Sequence, residues 1–595
     1  MIETKYIECD FCVVGGGLSG MMAAIAAARE GAKVVLMHER PMLGGNASSE
    51  IRMWISGAQG KDNRETGIIE EIELENFYRN PTKNYHLWDT VLYDFVRREE
   101  NITLLLNCTC MDAKVEKGEF AHGRTVRIQS VTGYQMTTQR FFEVKAKLYS
   151  DCSGDSILAP LTGAEFKIGR EAADTYGELS ATTVPDDMTM GMNCMIQGRE
   201  THQKIPFTPP QFSKKLTDKD FDNREILLDK DWENFWYLEL GGNRDTIGET
   251  EEIRDELLGL SLGTWDYIKN SGNYNADNWE LEFLGFLPGK RESRRMMGEH
   301  MLTQREVSDG TVFEDEVAFG GWPLDDHYPG GFYHRGAPNA HVNTPSPYSL
   351  PYRVLYSKNV DNLFFAGRNI SATHMGMSST RVMATCALLG EAVGKAAAIA
   401  ARKNCAPHDV YCNDLAELQQ MLMNEGCFLP NHTRDISEAC KKAALSVNAD
   451  VLRNGQDRAH EAIYQTNSET AAYAAAAGEE ISYIFPETKV SYVHLVFDSD
   501  LERTTLPGSW VEQKRSMRSN IHLDSPIMHM PLTLCKAFKL WGERAGEKQL
   551  LLEVEENRKR SYHVAVDAGF DKLVLQPISS WGDGAKIPVI SFDFG

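Results

Sequence analysis

The chain has 595 residues, too many for one hydrophobic core, so about two to four domains are expected. Its composition, 42% hydrophobic and 25% charged, is that of a globular protein. Lysine and arginine total 62 against 85 aspartates and glutamates, and the net charge of −23 argues against nucleic acid or an anionic membrane as a partner.

The N-terminus and the cysteines bear on the cellular compartment. No apolar run approaches the length of a membrane span, and residues 1–5 lead directly into a strand without the hydrophobic core of a signal peptide. We therefore expect a cytoplasmic location, unless a leader has been removed. Cys9 and Cys12 form a CxxC, but residues three apart on a strand face opposite sides, so we interpret both as buried apolar side chains.

A glycine-rich turn follows the first strand. Gly15 allows a tight turn, Gly17 allows backbone to approach a pyrophosphate, and Gly20 allows the Ala-rich helix 19–29 to pack on the strand. The helix N-terminus offers N–H groups to phosphates, and Glu39, at the end of the next strand, suits ribose hydroxyls. The pattern predicts a dinucleotide site; the alternative is an ordinary β–α turn.

Hydrophobic periodicity predicts further elements along the chain. Helices are predicted at 68–79, 86–98, 379–401 and 415–423, and strands at 102–109, 124–132, 139–149 and 362–368. The strands 124–132 and 139–149 are expected to be antiparallel and joined around Gly133.

Changes in composition predict the domain organisation. We expect a dinucleotide-binding domain at 1–155 plus 355–405, an inserted substrate domain at 156–354, a helical linker at 406–454 and an all-β sandwich at 455–595. The insert is rich in Gly, Pro, Trp and His, which is typical of a loop-rich binding domain.

Four motifs together carry a resemblance to a known family. They are the glycine turn with Glu39 and residues 44–47, the turn 151–155, the stretch 288–295, and residues 362–383. Over roughly residues 8–400 the chain resembles the bacterial FAD-dependent oxidoreductases of the glutathione-reductase-like superfamily. The β-rich tail resembles a galactose-binding sandwich. The resemblance implies a Rossmann-like α/β fold with an inserted α+β substrate domain and a C-terminal all-β sandwich.

The resemblance also implies FAD contacts residue by residue. Ribose would lie at Glu39 and Arg40, adenine at the Cys110 backbone, and the flavin pyrimidine ring at the helix start near Arg381. The implied FAD-binding residues are Gly15, Gly17, Leu18, Ser19, Gly20, Glu39, Arg40, Gly44, Gly45, Asn46, Ala47, Cys110, Gly154, Asp155, Gly367, Arg368, Arg381, Val382 and Met383. Because no histidine directly follows Gly45, we expect FAD to be held non-covalently.

Candidates for proton handling and substrate binding come from four positions. His374 precedes the predicted helix 379–401 and could be a general base or a hydrogen-bonded loop histidine. His327 ends an Asp-Asp-His sequence that could hold a carboxylate-oriented base or form only a turn. Arg294 belongs to an arginine cluster at helical spacing, and Arg52 follows the glycine loop; either could hold a substrate anion or pair with an acid. The His and acid spacings do not predict a metal site.

The sequence favours an enzyme that transfers a hydride between flavin N5 and a small polar, carbohydrate-like substrate. We find no second glycine-rich β–α turn for a nicotinamide cofactor. The alternative is a carbohydrate-binding or scaffold protein that retains a non-catalytic flavin fold. The expected partners are therefore a small-molecule substrate and, through the C-terminal domain, a glycan.

Overall fold

The N-terminal part of the chain forms a mainly parallel sheet. The computed structural model describes residues 2–228, 235–458 and 472–595. Its first elements are β1 Thr4–Val14, α1 Leu18–Arg29, β2 Val34–Met37, α2 Ile68–Arg79, α3 Tyr85–Arg97, β3 Ile102–Leu105, β4 Cys108–Lys117, β5 Val126–Gln135 and β6 Arg140–Asp151. The strand order is β3-β2-β1-β6-β5-β4, with β3, β2, β1 and β6 parallel and β4 and β5 antiparallel.

The hairpin between β5 and β6 differs from the sequence prediction. Its turn lies at 136–139, whereas Gly133 lies inside β5. A Cβ at Gly133 would stand 2.6 Å from Met37 Sδ. Gly133 therefore allows β5 to pack closely against Met37 of β2, and it does not form a turn.

The middle region consists of short strands around one long helix. Its elements are α4 Leu158–Thr162, β7 Phe166–Lys167, α5 Ala173–Tyr176, β8 Met192–Asn193, β9 Ile196–Glu200, β10 Glu239–Leu240, α6 Thr250–Asn270, β11 Trp279–Leu284, β12 Gly289–Lys290, β13 Arg295–Met296, α7 Gln304–Asp309, β14 Glu316–Gly320, β15 Leu324–His327, β16 Asn339–Val342 and β17 Tyr348–Pro351. The pairs β8–β12, β14–β17 and β15–β16 are antiparallel. Of the arginine cluster, Arg291 and Arg294 lie in the loop between β12 and β13 and Arg295 lies in β13, so the predicted helical face is wrong.

The chain then returns to the first sheet through β18 Leu363–Phe365, α8 His374–Thr380 and α9 Met383–Lys403. The strand β18 lies parallel to the last residues of β6, beyond the point where β5 ends its pairing. The predicted helix 379–401 is thus two helices, and the long one begins at Met383. It packs on α1 closely, since a Cβ at Gly390 would stand 2.1 Å from Ser19 O.

Helix α9 is long and apolar enough by length and composition to cross a membrane, contrary to the sequence expectation. In the folded chain, 94% of its most apolar window is buried. Its position against α1 and α11 is that of a core helix.

The rest of the chain leads into an antiparallel sheet. Its elements are α10 Pro407–Asn413, α11 Leu415–Asn424, α12 Glu438–Lys442, β19 Ala444–Leu445, β20 Tyr473–Ala476, β21 Ile481–Phe497, α13 Trp510–Lys514, β22 Cys535–Arg544, β23 Glu547–Val554, β24 Ser561–Ser580 and β25 Lys586–Phe594. The order is β20-β25-β21-β24-β22-β23, with β19 on β21. The all-β C-terminal domain is confirmed, and its strands form one continuous sheet with bulges in β21, β22 and β24.

The C-terminal domain is attached to α2 by buried polar contacts. Ser499 Oγ donates to Glu70 Oε1 at 2.6 Å, and Ser516 Oγ donates to Glu73 Oε1 at 2.6 Å. Arg503 lies 3.5 Å from Glu70, and both side chains are almost fully buried. The segment between β21 and β22 therefore lies against the domain that carries the glycine turn.

Candidate functional site

The glycine turn has the geometry that the sequence predicted. Gly15 has a φ of +107°, and a Cβ there would stand 2.3 Å from Cys152 O. A Cβ at Gly20 would stand 1.8 Å from Gly15 O, so only glycine allows α1 to approach the turn. Gly17 precedes the helix, and no side chain caps its first turn. The unpaired helix N–H groups are suited to bind phosphate.

A cavity of about 410 Å³ extends from this turn to the middle region, and we call it the long cavity. Many residues implied by the resemblance line it. They are Gly15, Gly17, Leu18, Ser19, Glu39, Arg40, Gly44, Gly45, Asn46, Gly154, Gly367, Arg368, Arg381, Val382 and Met383. The N-terminus of α9 reaches the cavity at Val382 and Met383, so the positive end of a long helix dipole faces it.

Three further residues implied by the resemblance, Gly20, Ala47 and Cys110, do not line the long cavity. Gly20 packs against Gly15, and the carbonyl of Ala47 accepts a hydrogen bond from Trp88 Nε1 at 2.9 Å. Cys110 lies within β4, where burial raises the pKa of its thiol to about 12. Because Ala47 and Cys110 do not line the long cavity, the predicted direct contacts are not supported there.

Asp155 holds two cations of the cavity wall in place. Its carboxylate lies 2.9 Å from Arg368 Nη2 and 2.8 Å from Lys290 Nζ, and it accepts from Ser293 Oγ at 2.7 Å. Burial would raise the pKa of Asp155, but Arg368 and Lys290 lower it, so the carboxylate is ionised. Asp155 therefore positions cofactor-binding side chains and is not itself part of the wall.

The side chains present fit an anionic dinucleotide. Ser19 Oγ, Arg40 Nη1, Arg368 Nε and Arg381 Nε are buried and make no hydrogen bond within the described residues. All four residues line the long cavity. Buried polar atoms normally have a partner, so these atoms indicate a bound polar ligand, and three of the four are cationic.

His38 was missed by the sequence analysis. Its Nδ1 accepts a hydrogen bond from the Gly16 N–H at 2.9 Å, and its Nε2 donates to Met42 O at 2.9 Å. The ring thereby links the glycine turn to the chain that follows β2. Its position directly before Glu39 is the only sequence signal.

A compact charged group lies at the other end of the long cavity. His327 Nδ1 lies 2.7 Å from Glu239 Oε2, and His327 Nε2 lies 3.4 Å from Asp325 Oδ2. Arg381 Nη2 lies 3.2 Å from Asp325 Oδ2, and Arg291 Nη1 lies 3.2 Å from Glu239 Oε2. All five residues except Glu239 line the cavity, and Glu239 contacts the ones that do. Two carboxylates therefore flank one histidine.

Both carboxylates of this group are ionised. Burial would raise the pKa of Asp325, but His327, His341 and Arg381 hold it well below its usual range. Burial opposes ionisation of Glu239 as well, and Arg291 and His327 lower the pKa of that carboxyl. Asp325 in turn raises the pKa of His341, although burial opposes this. The Asp-Asp-His sequence is part of a strand and not a turn.

His374 lies outside the long cavity. Its Nδ1 lies 2.9 Å from Glu292 Oε2, and its Nε2 lies 2.9 Å from Asp326 Oδ1. Its backbone N–H donates to Glu171 Oε2 at 2.8 Å. Burial would lower the pKa of His374, but Glu292 and Asp326 raise it to about 10. An imidazolium held this way is a poor general base, so these contacts favour the structural alternative for His374 over the catalytic one. It lines a separate cavity of about 500 Å³, the His374 cavity.

The two arginine candidates, Arg52 and Arg294, contact other side chains of the protein. Arg52 Nη1 donates to Gln197 Oε1 at 2.6 Å, and its guanidinium lies 4.2 Å from the Phe283 ring centroid. Arg294 lies 5.6 Å from the Phe166 ring centroid. Neither lines the long cavity, so a direct role with substrate is not supported for either. No group of three or more His, Cys, Asp or Glu in the described ranges is placed to hold a metal ion.

The fold and the long cavity together define a dinucleotide-binding α/β protein. The chain belongs to the FAD dependent oxidoreductase family, whose model matches residues 10–422. FAD is therefore the dinucleotide that the glycine turn and the arginines of the long cavity are placed to hold. No curated protein matches the chain.

Several solved structures have partial similarity to the chain. A geranylgeranyl bacteriochlorophyll reductase-like protein from Thermoplasma acidophilum is 11% identical, with a TM-score of 0.30 over 71% of this chain and 84% of that one. A variant of E. coli quinol fumarate reductase is 12% identical, with a TM-score of 0.28 over 71% and 75%. A family 32 carbohydrate-binding module from Streptococcus pneumoniae is 13% identical, with a TM-score of 0.19 over 27% and 99%. At these TM-scores the similarities carry no argument about this chain.

Proposed function

We propose that this oxidoreductase transfers a hydride between flavin N5 and a small polyhydroxy, carbohydrate-like substrate, with His327 as the proton-handling residue. The proposal rests on one observation: the cavity that begins at the dinucleotide turn ends at a histidine held between Glu239 and Asp325. Bound FAD supplies a centre that accepts or returns a hydride.

The geometry around His327 suits proton transfer. When Nδ1 carries the proton and donates to Glu239 at 2.7 Å, Nε2 keeps its lone pair. Nε2 lies 3.4 Å from Asp325, beyond a good hydrogen bond, so it can accept the proton of a substrate hydroxyl. As an alcohol carbon loses its hydride, His327 takes the hydroxyl proton, and Glu239 stabilises the resulting imidazolium. In the reverse direction His327 returns that proton.

Polar side chains at this end of the long cavity support a hydroxylated substrate. The guanidinium of Arg291 and the carboxylate of Asp325 line the cavity beside His327. Neighbouring hydroxyls of one molecule can donate to the Asp325 carboxylate and accept from the Arg291 guanidinium. The Trp236 and Trp322 side chains line the same cavity and offer aromatic surface to carbon-bound hydrogens.

An anaerobic screen tests this function. The holoenzyme is mixed with a panel of sugars, polyols and organic acids, and loss of flavin absorbance is followed. We expect a polyol or sugar to bleach the flavin, and His327→Ala to keep its FAD but slow bleaching by about 10²–10⁴-fold. His334→Ala is the control, since His334 does not line the long cavity. Bound FAD that no member of the panel reduces would contradict the proposal.

Two further expectations stay proposals. The 12 cysteines, all within the described ranges, form no disulfide, which supports a reducing compartment such as the cytoplasm. Contact of the C-terminal domain with a glycan also stays a prediction, and binding of the full chain to immobilised glycans tests it.

A further inference from the structure

A second cavity adjoins the long cavity on the side of the C-terminal domain. Its volume is about 590 Å³. The residues Ser56, Trp322 and Arg515 line both cavities, so the two meet there. We call the second cavity the C-terminal passage.

The two walls of the passage come from different domains. Residues 55–60 form one wall, and Leu501, Glu502, Trp510 and Lys514 form the other. Trp510 is 68% exposed, whereas Leu501 is 6% exposed, so the wall runs from a solvent-facing indole to a buried side chain. The passage therefore connects the surface to the long cavity along the contact between the domains.

Charged side chains along the passage form ion pairs with each other. Lys514 Nζ lies 2.6 Å from Glu502, and Arg64 Nη1 lies 2.8 Å from Glu73. Burial raises the pKa of Glu65, which favours its neutral form. A wall of paired charges and neutral groups leaves little net charge along the passage, so an uncharged, hydroxylated molecule can enter without displacing a bare charge from its partner.

Arg515 occupies the junction of the two cavities. Its guanidinium lies 3.6 Å from the Trp54 ring centroid, and this cation–π contact holds the side chain at Trp54, which lines the long cavity. Its backbone is fixed, because the carbonyl accepts from Lys83 Nζ at 2.5 Å and the N–H donates to Val511 O at 3.0 Å. Next to it, Trp322 Nε1 lies 3.5 Å from Asp325 Oδ2, so the junction adjoins the charged group at His327.

We propose that substrate reaches the long cavity through the C-terminal passage, and that Arg515 and Trp322 set the size of molecule that enters. The identity of that molecule as a polyol rests on the function proposed above, but the route does not. The C-terminal domain thus determines access to the flavin, in addition to any contact with a glycan.

Thiol labelling tests the route on the folded holoenzyme. Leu501→Cys places a thiol in the passage wall, and a bulky maleimide then obstructs it. The readouts are the extent of labelling by mass spectrometry and the rate at which dithionite reduces the bound FAD. We expect full labelling and, after labelling, reduction that is about tenfold slower. Dithionite reduces flavin whatever the physiological donor, so this test is independent of the substrate screen.

Two controls accompany the labelling. Leu523→Cys carries its thiol in the same segment, but Leu523 is 48% exposed and lines neither cavity. Labelled wild-type protein accounts for the exposed Cys412. Both controls should keep the unlabelled rate. A Leu501→Cys protein that retains FAD yet resists labelling, or is labelled without slower reduction, would overturn the route while leaving the proposed function intact.

Discussion

Asp325 and Asp326 are consecutive residues of β15, yet their carboxylates belong to different cavities. Asp325 lies 3.4 Å from His327 in the long cavity, whereas Asp326 lies 2.9 Å from His374 at the His374 cavity. Alternation along a strand explains the separation. One short acidic sequence therefore contacts His327, the proposed proton-handling residue, on one face of the strand and His374 on the other.

Replacing Glu239 should weaken proton handling without loss of cofactor. Glu239→Gln removes the negative charge that orients His327 Nδ1–H and stabilises the imidazolium. Losing a charge-assisted hydrogen bond of about 1.5–3 kcal/mol should slow flavin reduction by the best donor about tenfold or more. Rapid-mixing absorbance measures the rate. The exposed Glu252→Gln should behave as wild type, and an unchanged rate in Glu239→Gln would argue against the assigned role.

Replacing His374 should affect stability and not chemistry. The folded-state pKa of about 10 lies above the unfolded value of 6.5. The stabilisation is therefore complete below pH 6.5 and is lost as the pH rises through about 10. His374→Gln removes the imidazolium from between Glu292 and Asp326, leaving Glu292 with Arg295 as its cation, and should cost about 3–5 kcal/mol at the acidic end of this range.

Urea denaturation across this pH range measures the effect. The difference in unfolding free energy between wild type and His374→Gln should shrink as the pH rises. The exposed His202→Gln serves as the control. A difference that is independent of pH would show that His374 is not held as an imidazolium.

The dinucleotide turn was predictable because its requirements are local. The glycines at 15, 17 and 20, the following helix and Glu39 lie within one β–α–β unit, and each contributes through backbone geometry. The charged group at His327 was only partly predictable, because Glu239 in β10 and Arg291 after β12 are distant from it in sequence. No pattern around Glu239 marks it in the sequence.

The arginine cluster shows why its predicted helix was wrong, and His374 shows why the sequence left two roles open for one histidine. His374 stands close to the helix that faces the flavin site, but α8 intervenes and turns its side chain toward Glu292. The spacing of Arg291, Arg294 and Arg295 fits a helix, yet the first two lie in a loop between short strands and the third lies in β13. Sequence distance and spacing cannot resolve such alternatives without the tertiary partners.

Gly20 should be intolerant of any side chain. Gly20→Ala would bring a Cβ within 1.8 Å of Gly15 O, so α1 must move away from the turn. We expect loss of bound FAD and a fall of about 1–3 kcal/mol in the unfolding free energy. Flavin content after purification and thermal unfolding measure the two effects. Gly118→Ala is the matched control, because its nearest neighbour would be 3.8 Å away, and normal flavin content in Gly20→Ala would contradict the turn geometry.

The FAD should be released when the protein is denatured. Covalent attachment needs a nucleophilic side chain in the long cavity, and the thiols there are Cys152 and Cys386. Burial raises the pKa of each to about 12, so both are protonated and unreactive. Among the histidines of the cavity, His38 has both ring nitrogens hydrogen-bonded, and His327 and His341 lie at Asp325, at the end of the cavity away from the glycine turn. After acid precipitation we expect the flavin in the supernatant, measured by its fluorescence; a yellow precipitate would indicate a covalent bond, which peptide mass spectrometry would locate.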